Sequence, residues 1–213
     1  MLLNGGFSPD YLISLVYSIP AILIALCFHE FAHALVAYKL GDPTAKLKGR
    51  LTIDPSKHLD VFGTIAIILC GFGWAKPVPI NPKNFKHPKR DEILVSIAGV
   101  CMNLIIAFIA CLIFLLGVRA GANDIFINIV SPIIMINLYI AVFNVIPIPP
   151  LDGFHIISVL FIKKANAAVY ALYRYGFIIL LVLVFTGAVS FLLSNASQAI
   201  LTGYLNFFSL FGL

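Results

Sequence analysis

Charge is what this sequence has least of. Lys, Arg, Asp and Glu make up 11% of its 213 residues, far below the share in a soluble domain, so a soluble globular fold is excluded. Acids are the scarcer kind, 9 against 14 Lys and Arg, and the only glutamates are Glu30 and Glu92. That scarcity argues against a di-iron membrane oxidase, which needs several carboxylate and His clusters within its spans. Cysteine is sparse too. Cys27, Cys70, Cys101 and Cys111 all sit in apolar stretches and form no Cys-x-x-Cys pair, so they read as small packing hydrophobes rather than redox or zinc ligands. No internal repeat is apparent, which removes the usual sign of an inverted-repeat transporter. Met1-Leu-Leu-Asn-Gly-Gly lacks the basic n-region of a signal peptide, so the first apolar run is expected to be kept. The net charge of +5 comes from bases in short loops between apolar runs. There they report membrane orientation and give no nucleic-acid signal; the expected surrounding is a lipid bilayer.

What the chain has in abundance is apolar length, with 61% hydrophobic residues. The runs predict an all-α polytopic membrane protein of about four to six transmembrane helices, with a short re-entrant or extended/β segment between the first two core helices. Tyr11 to Leu40 can span, and Gly41-Asp42-Pro43 ends it. Thr44 to Asp60 is polar and basic, with Leu47, Leu51 and Ile53 in rough alternation, the pattern of a short strand or hairpin. Val61 to Phe72 is too short to span and predicts a re-entrant or buried segment. It leads into Gly71-Phe72-Gly73-Trp74-Ala75-Lys76-Pro77-Val78-Pro79-Ile80-Asn81-Pro82, where the prolines forbid helix and leave extended chain. Such backbone is either buried in protein or wetted at membrane depth, or an ordinary cytoplasmic loop. After a second basic loop, Ile93 to Val118 and Ile125 to Ile146 span. A short helix from Asp152 to Ile162 ends at Lys163-Lys164, Tyr175 to Leu193 is the last strong span, and Ala196 to Leu213 is apolar but weakly patterned. One domain covers residues 1–213, with its core over about 11–160.

Within the first run stands His29-Glu30-Phe31-Ala32-His33. Positions i and i+4 of a helix share a face, so His29 and His33 can offer two imidazoles to one metal ion with Glu30 beside them. Three ionisable side chains in a hydrocarbon environment are expensive and mark a functional site by default. Cys27 precedes His29 by two positions, about 200° around the helix, and is not counted as a ligand. A catalytic zinc wants three protein ligands and an open fourth position. Asp152, in Pro147-Ile-Pro149-Pro150-Leu-Asp152-Gly153, is the candidate for the third, held by a rigid turn; alone it would read as a helix cap. Gly99 and Asn103 share a helix face, and two roles fit Asn103: orienting a substrate carbonyl, or a hydrogen bond between packed helices. Asn137 and Asn144 lie in the following span. His155 reads as structural, and His58 has no assignable partner.

If the first helix runs from outside to inside and Val61 to Phe72 returns to the same side, every Lys and Arg except Arg119 is cytoplasmic. The N-terminus is then outside, and the histidine motif and the Asp152 turn share the cytoplasmic leaflet, as a shared ion requires.

This constellation resembles the site-2 protease family of intramembrane zinc metalloproteases, peptidase family M50. The matching pieces are His29-Glu30-Phe31-Ala32-His33, Ala98-Gly99-x-x-x-Asn103, Asn144-x-x-Pro147-x-Pro149-Pro150-Leu151-Asp152-Gly153 and the Gly71 to Pro79 segment, which looks like a compact bacterial or archaeal branch. The resemblance implies one Zn2+ held by His29, His33 and Asp152, Glu30 as acid/base, and substrate-side roles for Asn103 and Asn144. It implies a multi-pass protein of the cell membrane whose partner is a transmembrane protein substrate, cut near the cytoplasmic leaflet. Val100 stands where many relatives have Pro, and no room is seen for a PDZ or CBS domain. The rival reading is a non-proteolytic zinc-containing binding or regulatory protein on the same scaffold; Glu30 argues against it, since a structural zinc site has no use for a base.

Overall fold

Helices that pack in lipid gain little from burying large aliphatics, because the lipid is as apolar as they are, and small residues that let backbones approach are favoured instead. The computed structural model, which describes residues 9–70, 73–161 and 167–213, is arranged on that rule. Its described residues form α1 (Pro9–Lys39), α2 (Thr44–Leu47), α3 (Pro55–His58), α4 (Val61–Cys70), α5 (Pro88–Arg119), α6 (Asp124–Val145), α7 (Asp152–Phe161), α8 (Ala167–Phe185) and α9 (Ala188–Ser209), with a 3-10 turn over Pro82–Asn84. The helices α1, α5 and α6 pack mutually as a central bundle. Its interior is lined by Ala21, Ala25, Ala34 and Ala37 of α1, all fully buried, and by Val95, Gly99 and Ala107 of α5, while Ile13, Val16, Ile105, Ile109 and Ile113 face outward.

These three helices are long and apolar enough to cross a membrane, and the bent pair α8–α9 counts as a fourth span if taken together. The all-α membrane architecture is therefore the one expected from the runs. The expectation of a continuous span over Tyr175 to Leu193 is corrected: α8 ends at Phe185, α9 begins at Ala188, and the two meet at 75°. Gly187 between them has φ +80, the left-handed conformation in which a glycine commonly stops a helix. α9 then runs on through the weakly patterned tail and packs on α5 and α6 with Phe208 in their core, Tyr204 Oη donating to Leu104 O at 3.1 Å. The Lys163-Lys164 helix end, and Gly71 and Phe72 at the close of the expected re-entrant segment, lie outside the described residues.

The strand or hairpin expected over Thr44 to Asp60 is also corrected. Two single-turn helices, α2 and α3, stand there, and the only pairing among the described residues is an isolated bridge between Leu59 and Ala75. Local side-chain hydrogen bonds decide this. The Asp42 carboxylate accepts from Thr44 N at 3.1 Å in an Asx turn that leads into α2, and Asp54 caps α3, accepting from Ser56 N at 2.9 Å with Pro55 at the first helical position; both favour a turn over a ladder. Leu47 and Ile53 are exposed, so their alternation marks no buried face. Trp74 to Asn81 is extended as expected. It packs across the C-terminal part of α1 as a strap, with Val78 buried against Ala34 and Ala45.

Candidate metal centre

His29 and His33, one turn apart on α1, both point into the bundle and are 5% and 6% exposed. They can do so because α5 offers no side chain at the facing position. A Cβ built on Gly99 would stand 2.5 Å from His29 Cε1 and 2.5 Å from His33 Nε2, far inside contact distance. The third group arrives from the turn after α6. A Cβ on Gly153 would be 2.1 Å from Val145 O, so only glycine lets the start of α7 fold back on the end of α6 and bring Asp152 over the imidazoles. The Nε2 atoms of His29 and His33 are 3.0 Å apart, and Asp152 Oδ2 lies 3.2 Å from each. That oxygen is buried and makes no hydrogen bond of ordinary geometry.

Hydrogen bonds behind the imidazoles determine which nitrogen carries the proton. His33 Nδ1 is 2.7 Å from Val95 O, a carbonyl that can only accept, so Nδ1 donates and Nε2 presents its lone pair. For His29 the same result is reached through two amides. Asn137 Nδ2 donates to Ile133 O at 2.8 Å, which turns its Oδ1 toward Asn103; Asn103 Nδ2 donates to that oxygen at 2.8 Å and to Ala25 O at 3.0 Å. Asn103 Oδ1 is left to accept from His29 Nδ1 at 2.6 Å. Both asparagines are fully buried. Two imidazole lone pairs and a carboxylate oxygen thus converge on one point.

Such a trio fits a metal ion. Ligand atoms about 2.0–2.1 Å from one tetrahedral zinc stand about 3.3 Å from one another, close to the triangle found here. Among the described residues His29, His33 and Asp152 are the one group of three able to hold an ion. Cys27 is buried on another side of α1 and is outside this group.

Glu30, the next residue along α1, faces the strap instead. It is partly exposed, and its Oε2 accepts from Val78 N at 2.9 Å. Val78 stands between Pro77 and Pro79, which have no N–H, so this is the single backbone donor of the three residues. The strap is also held by Lys76 N donating to His58 O at 2.7 Å and by Arg50 Nη2 donating to Lys76 O and, at 3.3 Å, to Pro77 O. His58, without a partner from sequence, is fully buried with Nε2 on Thr52 O at 2.6 Å.

Of the remaining candidates, Asn103 spends its amide on His29, Ala25 and Asn137. Asn144 bonds Ile140 O within α6 at 3.0 Å. His155 lines a cavity of about 190 Å³ beside the Asp152 turn, with Pro149, Pro150, Phe154, Tyr173 and Phe177. Sequence reasoning gave Asn137 and Arg50 no role at the site. An amide inside a lipid-crossing helix was the available signal for Asn137; for Arg50, a base in a basic loop, there was none.

Residues 17–123 and 119–183 match the family model for peptidase family M50. The chain is 43% identical over 187 residues to YwhC of Bacillus subtilis, a protein named provisionally as a zinc metalloprotease, covering 83% of this chain and 84% of that one. It is 28% identical over 177 residues to Rip2 of Mycolicibacterium smegmatis, covering 79% of this chain and 66% of that protein. With Rip2 of Mycobacterium tuberculosis it shares 31% over 140 residues, 62% of this chain and 52% of the relative. Both Rip2 proteins carry the same provisional name. No solved structure matches the chain.

Proposed function

From the premise that this chain belongs to peptidase family M50, as a membrane-embedded zinc metalloprotease, we propose that it is an intramembrane endopeptidase of the site-2 type that cuts transmembrane segments near the cytoplasmic leaflet. The observation that carries the reading is the convergence of His29 Nε2, His33 Nε2 and Asp152 Oδ2 at 3.0–3.2 Å, with a glutamate adjacent in sequence.

His29, His33 and Asp152 would hold one zinc. When bound, zinc supplies Lewis acidity, lowering the pKa of a water in its open position and polarising a carbonyl beside it. Glu30 takes the proton of the attacking water and hands it to the amine released as the peptide C–N bond breaks. Its partly exposed position, beside imidazoles that are almost wholly buried, suits a base that must meet water while the ligands stay dry. A helical substrate hides its peptide bonds and must unwind to reach this point. The cavity beside the Asp152 turn, lined by proline and aromatic rings, has room for an apolar side chain of such a segment. The loops that hold the bases lie at the end of α1 that carries the histidines, which supports a cytoplasm-facing site and an outside N-terminus.

The test is purified protein in bilayers, given single-span substrates. Glu30→Gln is expected to abolish cleavage and keep zinc; cleavage by that variant would remove Glu30 from the role.

A further inference from the structure

Among the described residues, Arg50 is a buried cation without a counter-ion. Its residue is 7% exposed, its Nε meets no acceptor, and it has no ion-pair partner among the described residues. Leaving a guanidinium uncompensated in protein is costly, so its charge should be met nearby. Its Nη2 is spent on two successive carbonyls of the strap, Lys76 O and Pro77 O. The second of these is one end of the Pro77–Val78 peptide; the other end is Val78 N–H, which donates to Glu30 Oε2. Glu30, likewise, has no ion-pair partner among the described residues. A cation at the oxygen of an amide withdraws electrons from it and makes its N–H a stronger donor, as in polarised hydrogen-bond chains. The flanking prolines ensure that no neighbouring N–H can take over, and Val78 packed on Ala34 and Ala45 keeps the peptide beside α1.

We propose that Arg50 is a positioning residue for Glu30, acting through the Pro77–Val78 peptide: guanidinium, carbonyl, N–H and carboxylate form one chain that aims the carboxylate. The proposal rests on the reading of Glu30 as the acid/base. It has a consequence independent of turnover, because the Val78 amide is the one exchangeable backbone group in residues 77–79 and reports directly on the link.

The experiment is hydrogen exchange at the Val78 amide in the zinc-loaded full chain, alongside zinc content and cleavage kinetics. Arg50→Ala is expected to keep zinc, to speed Val78 exchange by about 10-fold or more as the strap opens locally, and to lower kcat by roughly 10- to 100-fold with KM little changed, the cost of a misplaced catalytic group. Arg50→Lys, which keeps the charge but loses the fork, should fall between. Val78 exchange at the wild-type rate in Arg50→Ala, or faster exchange with wild-type kcat, overturns the proposal. If Arg50→Ala does not fold, Val78→Pro deletes the N–H and leaves the guanidinium; full turnover in that variant overturns it equally. Glu30→Gln keeps the two readings apart, since cleavage by it defeats the acid/base role whatever the exchange data say of Arg50.

Discussion

His29 and Glu30 are neighbours in the chain and differ in almost everything else. His29 turns into the bundle, where its Nδ1 meets Asn103 of α5, which is held in turn by Asn137 of α6. Glu30 turns toward the loops and is held by one N–H of an extended strap. About 100° of helix rotation separates the proposed ligand, fixed by three packed helices, from the proposed acid/base, fixed by a segment whose Trp74 and Ile80 are exposed. The difference suits the tasks. Metal ligands must stay in one geometry, whereas the group that exchanges protons must face water and an incoming chain.

The sharpest way to break the comparison is to show that the two sides are not separable. Asp152→Ala and His29→Ala are each expected to take zinc per chain from near one to near zero, whereas Glu30→Gln should keep it and lower cleavage by about 10²- to 10⁴-fold or more, the span of general acid–base catalysis. Metal analysis of the purified variants decides this. Zinc retained in Asp152→Ala would separate the turn from the helix.

Gly99→Ala should come next. Its methyl would overlap both imidazoles, so we expect zinc to be lost and stability to fall by about 1–3 kcal/mol from overpacking; titration with zinc and thermal unfolding read the two effects. A milder change on the same side is Asn137→Leu. It removes the acceptor that orients Asn103, and zinc affinity should weaken by roughly 10- to 100-fold, as for other partners of metal-bound histidines. Competition with a chelator would show it, and unchanged affinity would mean that Asn103 holds its orientation through Ala25 alone.

The smallest effect belongs to the loop side. Asp42 is fully buried and accepts from Asn81 N, Thr44 Oγ1, Asn84 Nδ2 and Thr44 N. Burial would raise its pKa, but these donors outweigh it and hold the carboxyl below the ordinary range. A depressed folded pKa means that the stabilisation is complete above the unfolded value, near about 3.9, and is lost as pH falls through the lower folded value. Asp42→Asn should cost about 1 kcal/mol at neutral pH and flatten the fall in melting temperature at acid pH.

Much of this was legible from residues alone. The spacing of His29 and His33 and that of Gly99 and Asn103 needed only helical periodicity, and α1, α5 and α6 follow apolar runs that lipid makes obligatory. Less could be read where short-range forces compete: an Asx turn at Asp42 and a helix cap at Asp54 made turns of a stretch whose alternation resembled a strand, and Gly187 broke a run that composition alone would continue. Arg50 was read only as a marker of orientation, because a buried guanidinium and a solvated one look the same in sequence.

By itself, then, the sequence determined the periodic part of this protein: the apolar runs that become α1, α5 and α6, which face of α1 carries two imidazoles, and the loss of helix over Pro77 to Pro79. Tertiary structure alone decided that Asp152 meets those imidazoles, that Asn137 reaches His29 through Asn103, and that Arg50 reaches Glu30 through a peptide bond. The physical reason is range. Periodicity and capping act within a few residues, whereas lone pairs and charges act across a few ångströms between helices, and those distances exist only after the bundle has closed.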